Sequence, residues 1–134
     1  TVFLGLLHGD GALEYVSAGH NPVVLVQPDG TVDLLRASGP PLGLLADVRF
    51  GSVEITLQPG ALLVADTDGF SEAPTPSEEE DEFGLGRIVD LAVSQRHHPL
   101  EAIIDELFAA VDRFTAGTPA HDDRSLLLLR RLPV

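Results

Sequence analysis

The hydrophobic period of this 134-residue chain changes once, at the acidic block Glu78-Glu79-Glu80-Asp81-Glu82. Before it, apolar residues come in short runs bounded by Gly, Pro and Asp, the mark of strands and turns. Residues 3–7 and 13–18 flank Gly9-Asp10-Gly11, and residues 23–27 and 31–35 flank Pro28-Asp29-Gly30. Residues 53–57 and 61–65 flank Gln58-Pro59-Gly60 in the same way. Gly and Asp accept turn conformations at little steric cost, so three consecutive hairpins and a largely antiparallel sheet are predicted. Residues 37–43 hold too much Gly and Pro for either regular element. After the block, Leu85, Ile88, Val89, Ala92 and Val93 fit one helix face. Leu100, Ile103, Ile104, Leu107, Phe108, Val111 and Phe114 keep helical spacing for four turns, with Pro99 at the start and Gly117 at the far end. A last strand, residues 125–130, returns to the sheet.

Composition narrows the function. The chain is long enough for one domain with a sizeable core, and residues 1–134 are read as a single, partial domain. There is no Cys, which excludes disulfides, zinc–thiolate sites and cysteine nucleophiles. The net charge is −13 with only eight basic residues and no basic stripe, so nucleic acid and anionic membrane are not expected partners. The acidic block is read as a solvated loop. No apolar run approaches the roughly 18–20 residues that span a bilayer. The chain opens on Thr1, in a strand-like stretch and without a targeting pattern. The expectation is a piece of a longer, cytoplasmic protein.

Chemistry concentrates at two acidic sites. Ala61-Leu62-Leu63-Val64-Ala65 runs into Asp66-Thr67-Asp68-Gly69, and Asp122-Asp123 precedes Ser125-Leu126-Leu127-Leu128-Leu129. Each places carboxylates at the end of what reads as a buried strand. Carboxylates are costly at the rim of an apolar core unless a cation compensates them. A hard divalent metal is the natural compensator in so acidic a chain, and oxygen-only ligands suit Mg²⁺ or Mn²⁺. A sheet pairing the two strands would bring Asp68 and Asp122 together. An EF-hand loop aligned on Gly69 fails, because Val64 and Thr75 would fall at acidic ligand positions. A haloacid-dehalogenase reading remains open locally, with Asp66 as nucleophile and Asp68 as acid/base. Against it stand Phe70 in place of Thr, the absence of Lys, and the antiparallel hairpins.

Several stretches, in order, resemble one family. These are Leu13-Glu14-Tyr15-Val16-Ser17-Ala18-Gly19-His20-Asn21-Pro22, Gly39-Pro40-Pro41-Leu42-Gly43-Leu44, Leu57-Gln58-Pro59-Gly60-Ala61-Leu62-Leu63 leading to Thr67-Asp68-Gly69 with Glu72-Ala73, Phe83-Gly84, and Asp122-Asp123-Arg124-Ser125. Together they resemble the metal-dependent (PPM-type) protein serine/threonine phosphatases, in their bacterial sporulation-phosphatase (SpoIIE-like) branch. The resemblance implies an α/β (α+β) fold, an antiparallel β-sandwich flanked by helices, here without its N-terminal part. It implies Mg²⁺ or Mn²⁺ held by Asp68 and Asp122, and hydrolysis of phosphoserine or phosphothreonine by metal-activated water. The implied substrate is a regulatory phosphoprotein such as an anti-sigma-factor antagonist, with a sensor domain upstream. Asp123 falls where the family has a neighbouring Asp or Asn, Gly69 and His121 adjoin the two ligands as further candidates, and Asp66 departs from the family, which commonly places a bulky residue there, so that it is a candidate to modify metal affinity. Asp123 is expected to hydrogen-bond rather than ligate, Asp66 to be an exposed loop carboxylate, and His121 to face solvent. His20 is expected to bond nearby backbone.

The family's Asp-Gly motif that bridges two metals has no counterpart here and would lie upstream of Thr1. The chain alone is therefore expected to be inactive. The alternative reading is a pseudophosphatase that docks a partner without turnover.

Overall fold

The computed structural model describes residues 1–76 and 81–133; the Glu78, Glu79 and Glu80 part of the acidic block lies outside them. In chain order the elements are β1 (Val2–Leu7), β2 (Ala12–Ala18), β3 (Val23–Val26), β4 (Val32–Leu35), β5 (Val53–Thr56), β6 (Leu62–Asp66), α1 (Asp68–Ser71), α2 (Gly84–Gln95), α3 (Leu100–Thr115) and β7 (Leu126–Arg130). They form two sheets, β1-β2-β5 and β4-β3-β6-β7, in which every strand pair is antiparallel.

Two of the expected hairpins form, β1–β2 and β3–β4. The third does not. The turn at Gln58-Pro59-Gly60 is real, with the Ala61 N–H bonded to the Gln58 carbonyl at 2.8 Å and Gly60 at φ +92°. However, β5 pairs with β2 while β6 pairs with β3 and β7. The turn therefore carries the chain from one sheet to the other. Residues 36–52 make the same crossing on the way back, from β4 to β5.

The core has two layers. Between the sheets lie Leu13, Tyr15, Val23, Leu25, Leu35, Leu57, Ala61 and Leu63. On the other face of the four-stranded sheet, Val24, Val26, Leu62 and Val64 meet Ile88 and Ala92 of α2 and Ile103, Leu107 and Val111 of α3. Strand β3 is thus buried on both faces, which explains its unbroken Val-Val-Leu-Val sequence. The 3.6-residue spacing of the α3 stripe makes its buried face. The helix ends with Ala116 in the left-handed region at φ 49°, followed by Gly117 at φ 79°. Among the described residues, helices cover only this one face. On the three-stranded sheet, Leu4 and Leu6 are 68% and 58% exposed. Strand β7, expected to be buried, is an edge strand of half-exposed residues, because among the described residues no strand lies beyond it. No helix among the described residues is long and apolar enough to cross a membrane.

Candidate metal centre

The β6–β7 ladder builds the site. Asp66 at the end of β6 stands opposite Leu126 at the start of β7, so the segments flanking them, 67–69 and 122–125, meet at one sheet end. Thr67 clasps them. Its hydroxyl donates to the Asp123 carbonyl at 3.2 Å and accepts the Ser125 N–H at 3.0 Å. The Thr67 N–H also bonds the Ser125 carbonyl at 3.1 Å.

The one-turn helix α1 then presses its backbone onto the 122–123 turn. A Cβ on Gly69 would lie 2.4 Å from the Asp123 carbonyl oxygen, so only glycine fits without a shift. Phe70, fully buried, fixes α1 to the helix layer through edge-to-face contacts with Phe83 and Phe108 at 6.1 and 5.2 Å. Asn21 donates to the Ser71 hydroxyl at 3.0 Å, tying the β2–β3 connection to the same turn.

Asp68 and Asp122 are therefore brought to one exposed edge, as the strand flanks suggest. Each accepts the amide of the next residue, at 2.9 Å from Gly69 and 2.7 Å from Asp123. Asp123 contributes its carbonyl to the clasp and keeps its side chain exposed. His121 is exposed and borders a cavity of about 100 Å³ together with Glu72, Asp122 and Arg124. The ring of His20 bonds the Asn21 carbonyl through Nδ1 at 2.8 Å, which is the backbone contact expected of it.

Asp66 corrects the expectation. It is 3% exposed, not a loop carboxylate, and neither carboxylate oxygen reaches a hydrogen-bond partner. Burial pushes its pKa above the usual carboxylate range, opposed in part by nearby Ser71, Asn21 and His20. A strand-end residue two positions before an exposed one looks local to that loop. The α1 turn and the β2–β3 connection, through Ser71, Asn21 and His20, close around it.

Two participants escaped the sequence reading. Glu72 borders the Asp122 cavity and a second one, of about 240 Å³, lined by Asp66 and Asp68. Arg124, 12% exposed along its side chain, reaches Asp112 of α3 at 3.2 Å. Its place directly after an acidic pair was the available signal.

For a hard cation the donor chemistry is right, since Asp68 and Asp122 offer carboxylate oxygens at one edge. Two carboxylates are too few to hold such a cation on their own. Among the described residues no group of three His, Cys, Asp or Glu side chains is arranged to hold a metal. The haloacid-dehalogenase alternative fails on the fold, which requires parallel strands around the motif where this chain has antiparallel ladders.

The chain belongs to the Stage II sporulation protein E (SpoIIE) family, whose model matches residues 1–132. Its fold is that of the PPM-type (PP2C) phosphatase domain, as the SiaA-PP2C domain of Pseudomonas aeruginosa shows. That structure superposes with a TM-score of 0.74 at 21% identity, over 90% of this chain. In sequence the chain is similar to protein IcfG of Synechocystis, at 29% identity over 98% of its length. It is also similar to the phosphoserine phosphatase RsbP of Bacillus subtilis, at 37% identity over 48%. The chain spans 20% of IcfG, 16% of RsbP and 47% of the SiaA-PP2C chain.

Proposed function

We propose that this chain is the part of a metal-dependent protein serine/threonine phosphatase that carries two of its metal carboxylates, Asp68 and Asp122. The observation that carries the reading is the clasp of Thr67 and Gly69 on residues 122–125, which joins two strand-end aspartates 54 positions apart (68 to 122). Mg²⁺ or Mn²⁺ bound there supplies charge neutralisation to phosphoryl oxygens and acidity to water. The residues of this chain do the positioning. Thr67 and Gly69 set the separation of the carboxylates, Phe70 and Asn21 keep α1 from moving away, and Asp123 holds the turn. The substrate is phosphoserine or phosphothreonine on a regulatory protein of the anti-sigma-factor-antagonist kind. The parent is a cytoplasmic regulator with a sensor domain upstream.

Because two carboxylates make half a cage, the chain alone has little or no turnover, and the rest of the domain supplies the remaining ligand. Hydrolysis of a phosphoserine peptide with Mn²⁺ tests this, comparing the chain with the parent polypeptide. Turnover by the parent that Asp68→Asn and Asp122→Asn abolish is expected; equal activity in the variants overturns the assignment. Calorimetric Mn²⁺ titration of the chain and of Asp68→Ala tests the ligand role separately, and equal affinities would sink it. The incomplete cage also supports a second reading, a partner-docking module without turnover. A parent that binds Mn²⁺ yet hydrolyses no phosphopeptide would establish it.

A further inference from the structure

Most carboxylates of this chain have an evident local task. Asp10 and Asp29 sit in exposed turns and accept the amides of Ala12 and Thr31, at 3.0 and 2.8 Å. Asp68 and Asp122 stand at the exposed edge and accept the amides that follow them. Asp66 has no such task. Among the described residues it is the only charged residue that is fully buried, and neither of its oxygens has a hydrogen-bond partner.

The groups around it are committed elsewhere. Ser71, Asn21 and His20 are its polar neighbours. The Asn21 amide donates to the Ser71 hydroxyl, and the His20 ring bonds the Asn21 carbonyl. No arginine lines either cavity that Asp66 borders, and the chain has no lysine. Arg124, the nearest cation in the acidic segments, reaches away to Asp112 of α3. An enclosed charge is costly unless something compensates it. Asp66 and Asp68 line the same cavity of about 240 Å³. Two positions apart in the chain, their Cα atoms are separated by no more than about 7 Å. Protein, not water, surrounds the Asp66 carboxylate, so its field reaches the edge with little screening.

We infer that Asp66 sets the affinity of the acidic edge for its divalent cation, as a carboxylate outside the ligand set whose counter-charge is the ion itself. The metal-free chain carries the cost of an uncompensated buried carboxylate, and the metal-bound chain does not. Asp66 touches neither the ion nor the substrate; it acts through the potential it places at Asp68 and Asp122. The inference rests on the metal assignment proposed above and adds to it a residue that ligand chemistry alone does not select.

Calorimetric titration of the parent polypeptide with Mn²⁺, Mg²⁺, Ca²⁺ and Tb³⁺ tests it, in wild type, Asp66→Asn, Asp66→Ser and Asp68→Ala. Both Asp66 variants are expected to bind the three divalent ions about tenfold more weakly, by the same factor for each, since a potential acts on charge and not on coordination geometry. Tb³⁺ is expected to lose about 30-fold, because the same potential acts on three charges instead of two. Asp68→Ala is expected to lose more than either. Unchanged affinity in the Asp66 variants overturns the inference. A loss that sorts the divalent ions, or that equals the loss in Asp68→Ala, makes Asp66 a ligand and overturns it too. Wild-type affinity in Asp68→Ala would remove the ligand assignment, and the inference with it only where the Asp66 variants also bind normally. Unfolding midpoints give a second reading. Without metal, Asp66→Asn is expected to melt above wild type, and saturating Mn²⁺ narrows that gap, because an ion stabilises most the protein that binds it most tightly. A gap that Mn²⁺ leaves unchanged overturns the inference.

Discussion

The two faces of the four-stranded sheet differ in how far their burial is finished. Toward the helices, Val24, Val26, Leu62 and Val64 meet α2 and α3 in a core whose members are 3% exposed or less. Toward the three-stranded sheet, the core thins out along the β1–β7 side until Leu127 stands in solvent. Both faces use the same apolar vocabulary. Completeness of layering, not hydrophobicity, separates them, and the acidic site sits where a finished wall meets an unfinished one.

Substitutions can break or sharpen this contrast. Phe70→Ala on the finished side should cost about 3–5 kcal/mol in urea denaturation, because it empties a fully buried aromatic site. A loss below 1 kcal/mol would show that the helix layer is looser than its packing indicates. Gly69→Ala should cost about 1–3 kcal/mol, since the added methyl must displace the Asp123 carbonyl. It should also weaken Mn²⁺ binding measured by calorimetry. Thr67→Val keeps the shape and removes both hydroxyl bonds, and is expected to cost about 1–2 kcal/mol, read in the same denaturation experiment. Asp66→Asn is expected to raise stability at neutral pH by about 1 kcal/mol, because a buried, unpartnered charge is replaced by a neutral isostere. Lower stability would mean that the carboxylate has a partner in solution. On the outer face of the three-stranded sheet, Leu4→Ser in this chain should change stability by no more than about 0.5 kcal/mol. A large loss there would mean that this outer face is already covered.

How much of this was legible follows the range of each interaction. The α3 stripe and the hairpins β1–β2 and β3–β4 depend on period and turn chemistry, which are local, and they appear where the sequence places them. The turn at Gln58-Pro59-Gly60 was equally legible as a reversal, but a turn does not say which strands pair across it. Four consecutive leucines in β7 suggest burial on both faces, but at the sheet edge, with no described strand beyond them, they are half-exposed. The convergence of Asp68 and Asp122 was readable, because both flank strands that a single ladder could join. The clasp at Thr67 and the burial of Asp66 were not, since each depends on segments distant in sequence, residues 123–125 for the clasp and Asn21, His20 and Ser71 around Asp66. Likewise Arg124 declares its tie to Asp112 only once α3 and β7 are neighbours.

One consequence follows from the β6–β7 ladder. Half of the acidic edge hangs on β7, an outermost strand held on one flank only by β6. Peeling β7 away therefore separates Asp122 from Asp68, the proposed ligand pair, in the same event. By thermodynamic linkage, a cation that needs both carboxylates must resist that peeling in proportion to its affinity. The first sign of metal binding would then be mechanical: a strand that unzips more reluctantly, before any phosphate is touched.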